Sequence, residues 1–283
     1  MKRTRCSGLA IRSLFCAVLF APSIATAAEQ MRRYELQRAD QGYRLVVRDV
    51  ARPSPAANEV LVRIRAVSLN HRDLYALQGA FGDSSGRVPV SDGAGEVIAV
   101  GEGVTRFKPG DRVAATFFEG WISGRPTAAS ISTARGGDTS GVLSEMIATH
   151  EDGLVRVPDH LSFEEAATLP CAAVTAWNGL FKHGHLQRGQ FVLLEGTGGV
   201  SIFGLQFAAA AGARPVITSS SDTKLERAKS LGAVATINYR TSPEWQNEVR
   251  KATGGAGVSH VLEIGGKDTL PKALAALDAA LAT

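Results

Sequence analysis

The chain has 283 residues, 45% hydrophobic and 20% charged, enough for two modest domains with buried cores. Its net charge of +4 sits at the start: Lys2, Arg3, Arg5 and Arg12 precede the first acid, Glu29, and the remainder balances 27 bases against 27 acids. A neutral body has no phosphate-binding basic face, which argues against a nucleic-acid partner. Cys6 and Cys16 also lie in this leader, so Cys171 stands alone and the body has neither a disulfide framework nor a multi-cysteine zinc site.

Residues 1–28 combine a basic start, an apolar run from Ser13 to Phe20, and Ala25-Thr26-Ala27, the pattern of a secretory signal peptide. The run is too short for a membrane span. Met31 offers a competing start, so two addresses stand. A chain cleaved at Ala28 or Glu29 is periplasmic or secreted, and one begun at Met31 is cytoplasmic.

From Leu45 the sequence favours strands. "RLVVRDV", "EVLVRIRAVSL", "GAGEVIAVG" and "GDRVAAT" mix β-branched and polar positions between Pro, Gly and Asn, which predicts a β-rich domain over residues 29–157. The stretch Gly120–Gly141, rich in Gly, Ser, Thr and Ala, is expected as a long surface loop. Past Pro158 the pattern changes. Ser162 and Glu165 form a capping box, and strands then alternate with helices expected over 199–211, 222–231, 243–253 and 269–281. Ser242-Pro243 suits the start of the third helix, and Gly212, Gly232 and Gly254 fall where helices should stop. Apolar strands alternating with helices predict an α/β domain over residues 158–283, a parallel sheet wrapped on both faces.

Within that domain "VLLEGTGGVS" follows an apolar strand and opens a helix, the setting of a dinucleotide-binding turn. Gly196 suits the tight turn, Thr197 follows it, and Gly198 and Gly199 let backbone approach a pyrophosphate. The amides of Gly199, Val200 and Ser201 face the anion at the positive helix end. Ser201 replaces the usual third Gly or Ala; it is small enough to pack, and its hydroxyl can help hold phosphate. A site for NADH usually has an acid at the end of the second strand. Here Ser219 and Ser220 stand there, and Lys224 follows in the first turn of the next helix, where a cation opposes the helix dipole unless an anion is near. The pattern points to NADPH over NADH, with Lys224 either facing the 2′-phosphate or simply solvated. Tyr239, ending the third strand, either closes the same pocket or packs.

With these residues placed, the chain resembles the zinc-free, quinone-oxidoreductase-like branch of the medium-chain dehydrogenase/reductase superfamily. The resemblance runs from about Met31 to Gly266, through "EVLVRIRAVSLNHRDL", "VPVSDGAGEVIAVGEGV", "FKPGDRV", "LPCAAVTAW", "GTGGVS" and "LGAVATINY". It implies a GroES-like catalytic domain, a Rossmann domain, and reduction of quinones, enones or small carbonyl compounds in the cleft between them. Where zinc-dependent relatives carry cysteine and histidine, this chain has Asn70 and Ser91, the latter beside Asp92, and Cys171 matches the third ligand position alone. No metal is therefore expected, and the H-x-H of His183 and His185 has no partner cluster. By the same resemblance Asn70 can donate a hydrogen bond to substrate, Asp73 can orient its neighbours, and Thr175 contacts the nicotinamide. His71 is either a proton donor or a packing residue.

Relatives continue past this point with two more strands of a sheet ordered 3-2-1-4-5-6, including the outer strand through which they pair as homodimers. Four strands are expected here, the fourth an exposed edge. A second reading therefore stands beside the oxidoreductase: a shortened form that binds NADP(H) or is inert.

Overall fold

A computed structural model describes residues 29–278. The expected signal peptide and residues 279–283 lie outside the described residues. Strands β1 (Gln30–Arg38) and β2 (Tyr43–Ala51) form an antiparallel hairpin. There follow β3 (Glu59–Ser68), α1 (His71–Leu77), β4 (Asp92–Val100), β5 (Arg112–Ala115), α2 (Ala128–Ile131), β6 (Met146–His150) and β7 (Leu154–Arg156). These strands make an antiparallel sheet in the order β6-β3-β4-β5-β7. Its core gathers Val60, Val62, Val97, Val113 and Leu154, each nearly or fully buried.

The chain then runs through α3 (Phe163–Ala167), a π-helical turn (Leu169–Ala173), α4 (Val174–Trp177) and a second π-helical segment (Asn178–His183). The capping box forms: Ser162 Oγ accepts from the Glu165 amide at 3.1 Å, and Glu165 Oε2 accepts from the Ser162 amide at 2.8 Å. Next come β8 (Phe191–Leu194), α5 (Gly199–Ala210), β9 (Arg214–Ser219), α6 (Asp222–Ser230), β10 (Ala235–Asn238), α7 (Trp245–Ala252), β11 (His260–Leu262) and α8 (Leu270–Ala276). Their four strands are parallel in the order β10-β9-β8-β11, the expected 3-2-1-4. Leu205 and Ala208 of α5 and Leu225 of α6 cover one face, and Trp245 and Val249 of α7 with Ala273 and Ala276 of α8 cover the other. Burial on both faces explains why β8 reads as an unbroken apolar run.

Three local expectations change. The third helix starts at Trp245 with Glu244 as N-cap, because the Ser242 amide is committed to Asn238 O in a turn and leaves Ser242-Pro243 outside the helix. The last helix stops at Ala276. Leu277 is extended and bridges Val258 in parallel, so the chain leaves the helix to pair beside β11. The segment 120–141 is only partly a surface loop: it contains α2, and Ala134–Gly137 are buried. Arg135, 3% exposed, ties that part down by donating to Thr116 O at 3.0 Å and Thr149 Oγ1 at 2.6 Å and by pairing with Glu119. Gly, Ser and Thr mark backbone freedom in sequence, and a buried arginine has spent that freedom here.

Candidate active site

The glycine turn is built by the strand before it and the strand beside it. β8 ends at Leu194, and Gly196 takes a left-handed φ of +72°, a conformation that costs a side-chain-bearing residue. Its amide donates to Thr218 Oγ1 at 3.1 Å, and Thr197 Oγ1 lies 3.0 Å from Ser219 Oγ, so β9 clamps the turn. Gly198 caps α5, and the first helical bond joins the Ile202 amide to Gly198 O. The amides of Gly199, Val200 and Ser201 thus precede any intrahelical acceptor, at the positive end of the helix. A Cβ added at Gly196 or Gly198 would meet nothing within 4 Å, so the turn borders open space.

Ser201 differs from expectation. It is fully buried, and its hydroxyl donates to Glu195 O at 2.6 Å, so that hydroxyl binds the strand end and is not directed at a phosphate. Ser219 is likewise buried, held by Thr197 and by the Ser221 amide. Ser220 is half-buried, Lys224 is exposed in the first turn of α6, and Tyr239 is 41% exposed with its amide on Ser219 O. The nearest acid, Asp222, accepts from Asn238 Nδ2 at 2.7 Å.

On the far side of the turn, a side chain at Gly199 would lie 3.2 Å from Ala172 Cβ in the π-helical turn. The same turn lines an apolar cleft of about 450 Å³. Cys171, Val174 and Thr175 form one wall, and Phe117, Phe118 and Trp121 form the other. The aromatic residues interlock edge to face, Phe117 with Phe118 at 4.7 Å and Phe118 with Trp121 at 5.7 Å between centroids. The guanidinium of Arg72 stacks on Phe117 and donates to Arg135 O. Sequence reading missed this aromatic wall, because only the tertiary fold brings residues 117–121 to face 171–175.

A polar cluster lies beside the cleft. Asp92 is fully buried and accepts from Ser91 Oγ at 2.6 Å and from the Cys171 amide at 2.9 Å, joining the two sheets' domains. Burial pushes its carboxyl up, while Ser91, the Cys171 amide and the Asn70 side chain pull it down. Asp73 is also raised, by burial first; its Oδ2 accepts from the Asn70 amide at 2.8 Å, and its Oδ1 is buried without a partner. The Cys171 thiol is pushed up to about 11, chiefly by burial and then by the Asp92 charge. Asn70, Asp73, Asp92 and Cys171 therefore come together. His71 does not join them: it is exposed and packs edge-on against Tyr75 at 5.3 Å. His183 and His185 are exposed, and among the described residues no three His, Cys, Asp or Glu side chains gather as a metal site. No helix among them is long and apolar enough to cross a membrane.

The family described as Alcohol dehydrogenase GroES-like domain matches residues 56–159, and that described as Zinc-binding dehydrogenase matches residues 199–281. A zinc-type alcohol dehydrogenase-like protein of Schizosaccharomyces pombe is 50% identical over 223 residues, covering 77% of this chain and 64% of that protein. The chain thus spans under two thirds of that relative's length. The crystal structure of a putative alcohol dehydrogenase from Sinorhizobium meliloti superposes with a TM-score of 0.83 at 42% identity, over 89% of this chain and 75% of that one. A quinone oxidoreductase of Escherichia coli, solved in complex with NADPH, gives 0.72 at 26% identity over 87% and 70%. Two matched domains in the expected order, on the expected pair of sheets, place the chain in the medium-chain dehydrogenase/reductase superfamily.

Proposed function

We propose that the protein is an NADPH-dependent, metal-independent oxidoreductase acting on quinones, enones or small carbonyl compounds. One observation carries this reading: Leu169–Ala173 touches the open glycine turn through Ala172 and lines the apolar cleft through Cys171. A dinucleotide on the turn thereby has a reducible substrate's pocket as its neighbour. NADPH, when bound, supplies the hydride. The chain's own part is positional. Amides at the start of α5 face the pyrophosphate, Thr175 stands at the cleft wall for the nicotinamide, and the aromatic wall excludes water from an apolar substrate.

The donor set does not suit zinc. The metal requires thiolate, imidazole or carboxylate ligands. Here the thiol is held neutral, Ser91 donates to Asp92, and both Asp92 oxygens are engaged. In place of a metal, the Asn70 side-chain amide is the group available to polarise a carbonyl oxygen, on a backbone that Asp73 holds through the Asn70 N–H. Turnover of a quinone and enone panel with NADPH is expected to persist in excess chelator. Activity lost in chelator and restored by zinc refutes the metal-independent part. Cofactor binding without turnover of any panel member favours the binding-only reading.

Cofactor choice rests on β9 and α6. No acid ends β9, Asp222 is tied to Asn238, and Lys224 has no ion-pair partner among the described residues. Lys224→Ala is expected to weaken NADPH by roughly tenfold, about 1.4 kcal/mol, and to leave NADH unchanged. Fluorescence titration of both cofactors checks this, and equal losses for the two would overturn the assignment.

A further inference from the structure

An acid pair that the proposed chemistry does not use lies at the ends of β8 and β11. Leu194 and Leu262 are register partners at the ends of β8 and β11, so the next residues, Glu195 and Glu263, emerge side by side. Glu195 is 5% exposed, and neither of its carboxyl oxygens has a well-formed hydrogen bond, although Thr269 and the Gly265 amide lie near enough to pull its proton affinity down. Its neighbour is the Glu263 carboxyl, which as an anion is an acceptor only. A buried carboxylate beside a second, half-buried one is relieved by a proton held between them.

Glu263 is itself well held. It accepts from the Gly266 amide at 2.9 Å, from the Gly265 amide, and from Thr269 Oγ1 at 3.0 Å. It thus carries the whole 264–269 loop to the end of β8. At the other side of the pair, Ser201 of α5 holds the Glu195 carbonyl, one residue before Gly196. The pair also lies at a particular place in the sheet. Strand order reverses between β8 and β11, and ligands of open α/β sheets bind in the crevice outside the carboxyl ends at such a switch point.

We propose that a single proton shared by Glu195 and Glu263 is a pH-sensitive latch, clamping the 264–269 loop to the glycine turn and opening when that proton leaves. Two titratable groups lie nearby: His260 of β11 is held by Ser259 and by Gly184 O, and His183 lines the same groove as Glu263. β8 and α5 carry no charged residue, the π-helical turn Leu169–Ala173 carries none, and Arg214, the one charged residue of β9, pairs with Phe191 at the opposite end of the strand from Leu194. Lys267 and Asp268 of the loop are exposed.

Desolvation, then the Glu263 carboxyl, raises Glu195 from the usual 4.5 to about 7. Partial burial also pushes Glu263 up, but the Gly266 amide, the shared proton, the Gly265 amide and Thr269 outweigh it and hold Glu263 low. A group raised in the folded state stabilises most below its unfolded value, and that contribution is lost as pH rises to the folded value. The latch is therefore closed near pH 5 and open above about 7. The acids held at about 2, Asp83 and Asp111, titrate well below this window.

Glu195→Gln is the direct test, because an amide donates permanently to the Glu263 carboxylate. Melting temperatures of the full chain without cofactor are compared at pH 5 and pH 8. The variant is expected to match wild type at pH 5 and to exceed it by roughly 5 °C at pH 8. The same difference at both pH values overturns the proposal. Should the variant not fold, infrared spectra decide. A protonated-carboxyl stretch that vanishes between pH 6 and 8, in the wild type and equally in Asp73→Asn and Asp92→Asn, supports the latch, and its absence refutes it. A second readout rests on the cofactor reading above: NADPH affinity of the wild type falls severalfold from pH 6 to 8, while that of Glu195→Gln stays level. Failure of NADPH to bind either chain at any pH counts against the cofactor reading, and the melting temperatures still decide the latch.

Discussion

Gly198→Val is expected to abolish NADPH binding while the apo protein melts almost as before. Gly198 has ordinary extended backbone, φ −81° and ψ 178°, which valine adopts without strain. A Cβ there meets nothing within 4 Å, so the cost to the fold is that of a poorer helix cap, about 0.5 kcal/mol. The space it fills is where backbone must approach the pyrophosphate. A loss of about 100-fold or more in NADPH affinity, roughly 2.7 kcal/mol, should follow. Calorimetric titration of a variant shown to be folded checks it, and affinity within a few fold of wild type would remove the glycine turn from the cofactor site. Gly196→Val is a poorer probe, because φ of +72° makes the apo fold itself pay for the side chain.

The second large effect is on stability. Asp92→Ala removes a fully buried acceptor of two hydrogen bonds, from Ser91 Oγ and from the Cys171 amide. Both donors are left without that partner where β4 meets the π-helical turn. Stranding a buried donor costs about 1–3 kcal/mol each, so a total loss of about 2–6 kcal/mol is expected, a large part of a typical stability of roughly 5–15 kcal/mol. Asp92→Asn keeps one oxygen for the Cys171 amide and should lose roughly half as much. Urea unfolding of the three chains gives the order, and a neutral Asp92→Ala would show that the contact between the domains is held by apolar packing alone.

Much of the fold was legible because its determinants are local. The glycines at 212, 232 and 254 all adopt positive φ at helix ends, and the Ser162–Glu165 box closes as spaced. Apolar runs at β8 and β9 declared a sheet covered on both faces. The glycine turn was equally local: a strand, Gly196 to Gly198, and the start of α5 are contiguous, so their chemistry survives in a short stretch of letters.

What escaped the sequence depends on strand order and register. Ser201 looked able to help hold phosphate until the end of β8 took its hydroxyl. His71 stood next to Asn70 in sequence, yet the first turn of α1 points it to solvent while Asp73 folds back on the Asn70 amide. The aromatic wall opposite Cys171 and the pairing of Glu195 with Glu263 involve residues far apart along the chain. Neither Glu195 nor Glu263 has a local spacing that marks it. They become a chemical unit only when β11 crosses over to lie beside β8, because a carboxyl's proton affinity is set by what burial and folding place against it.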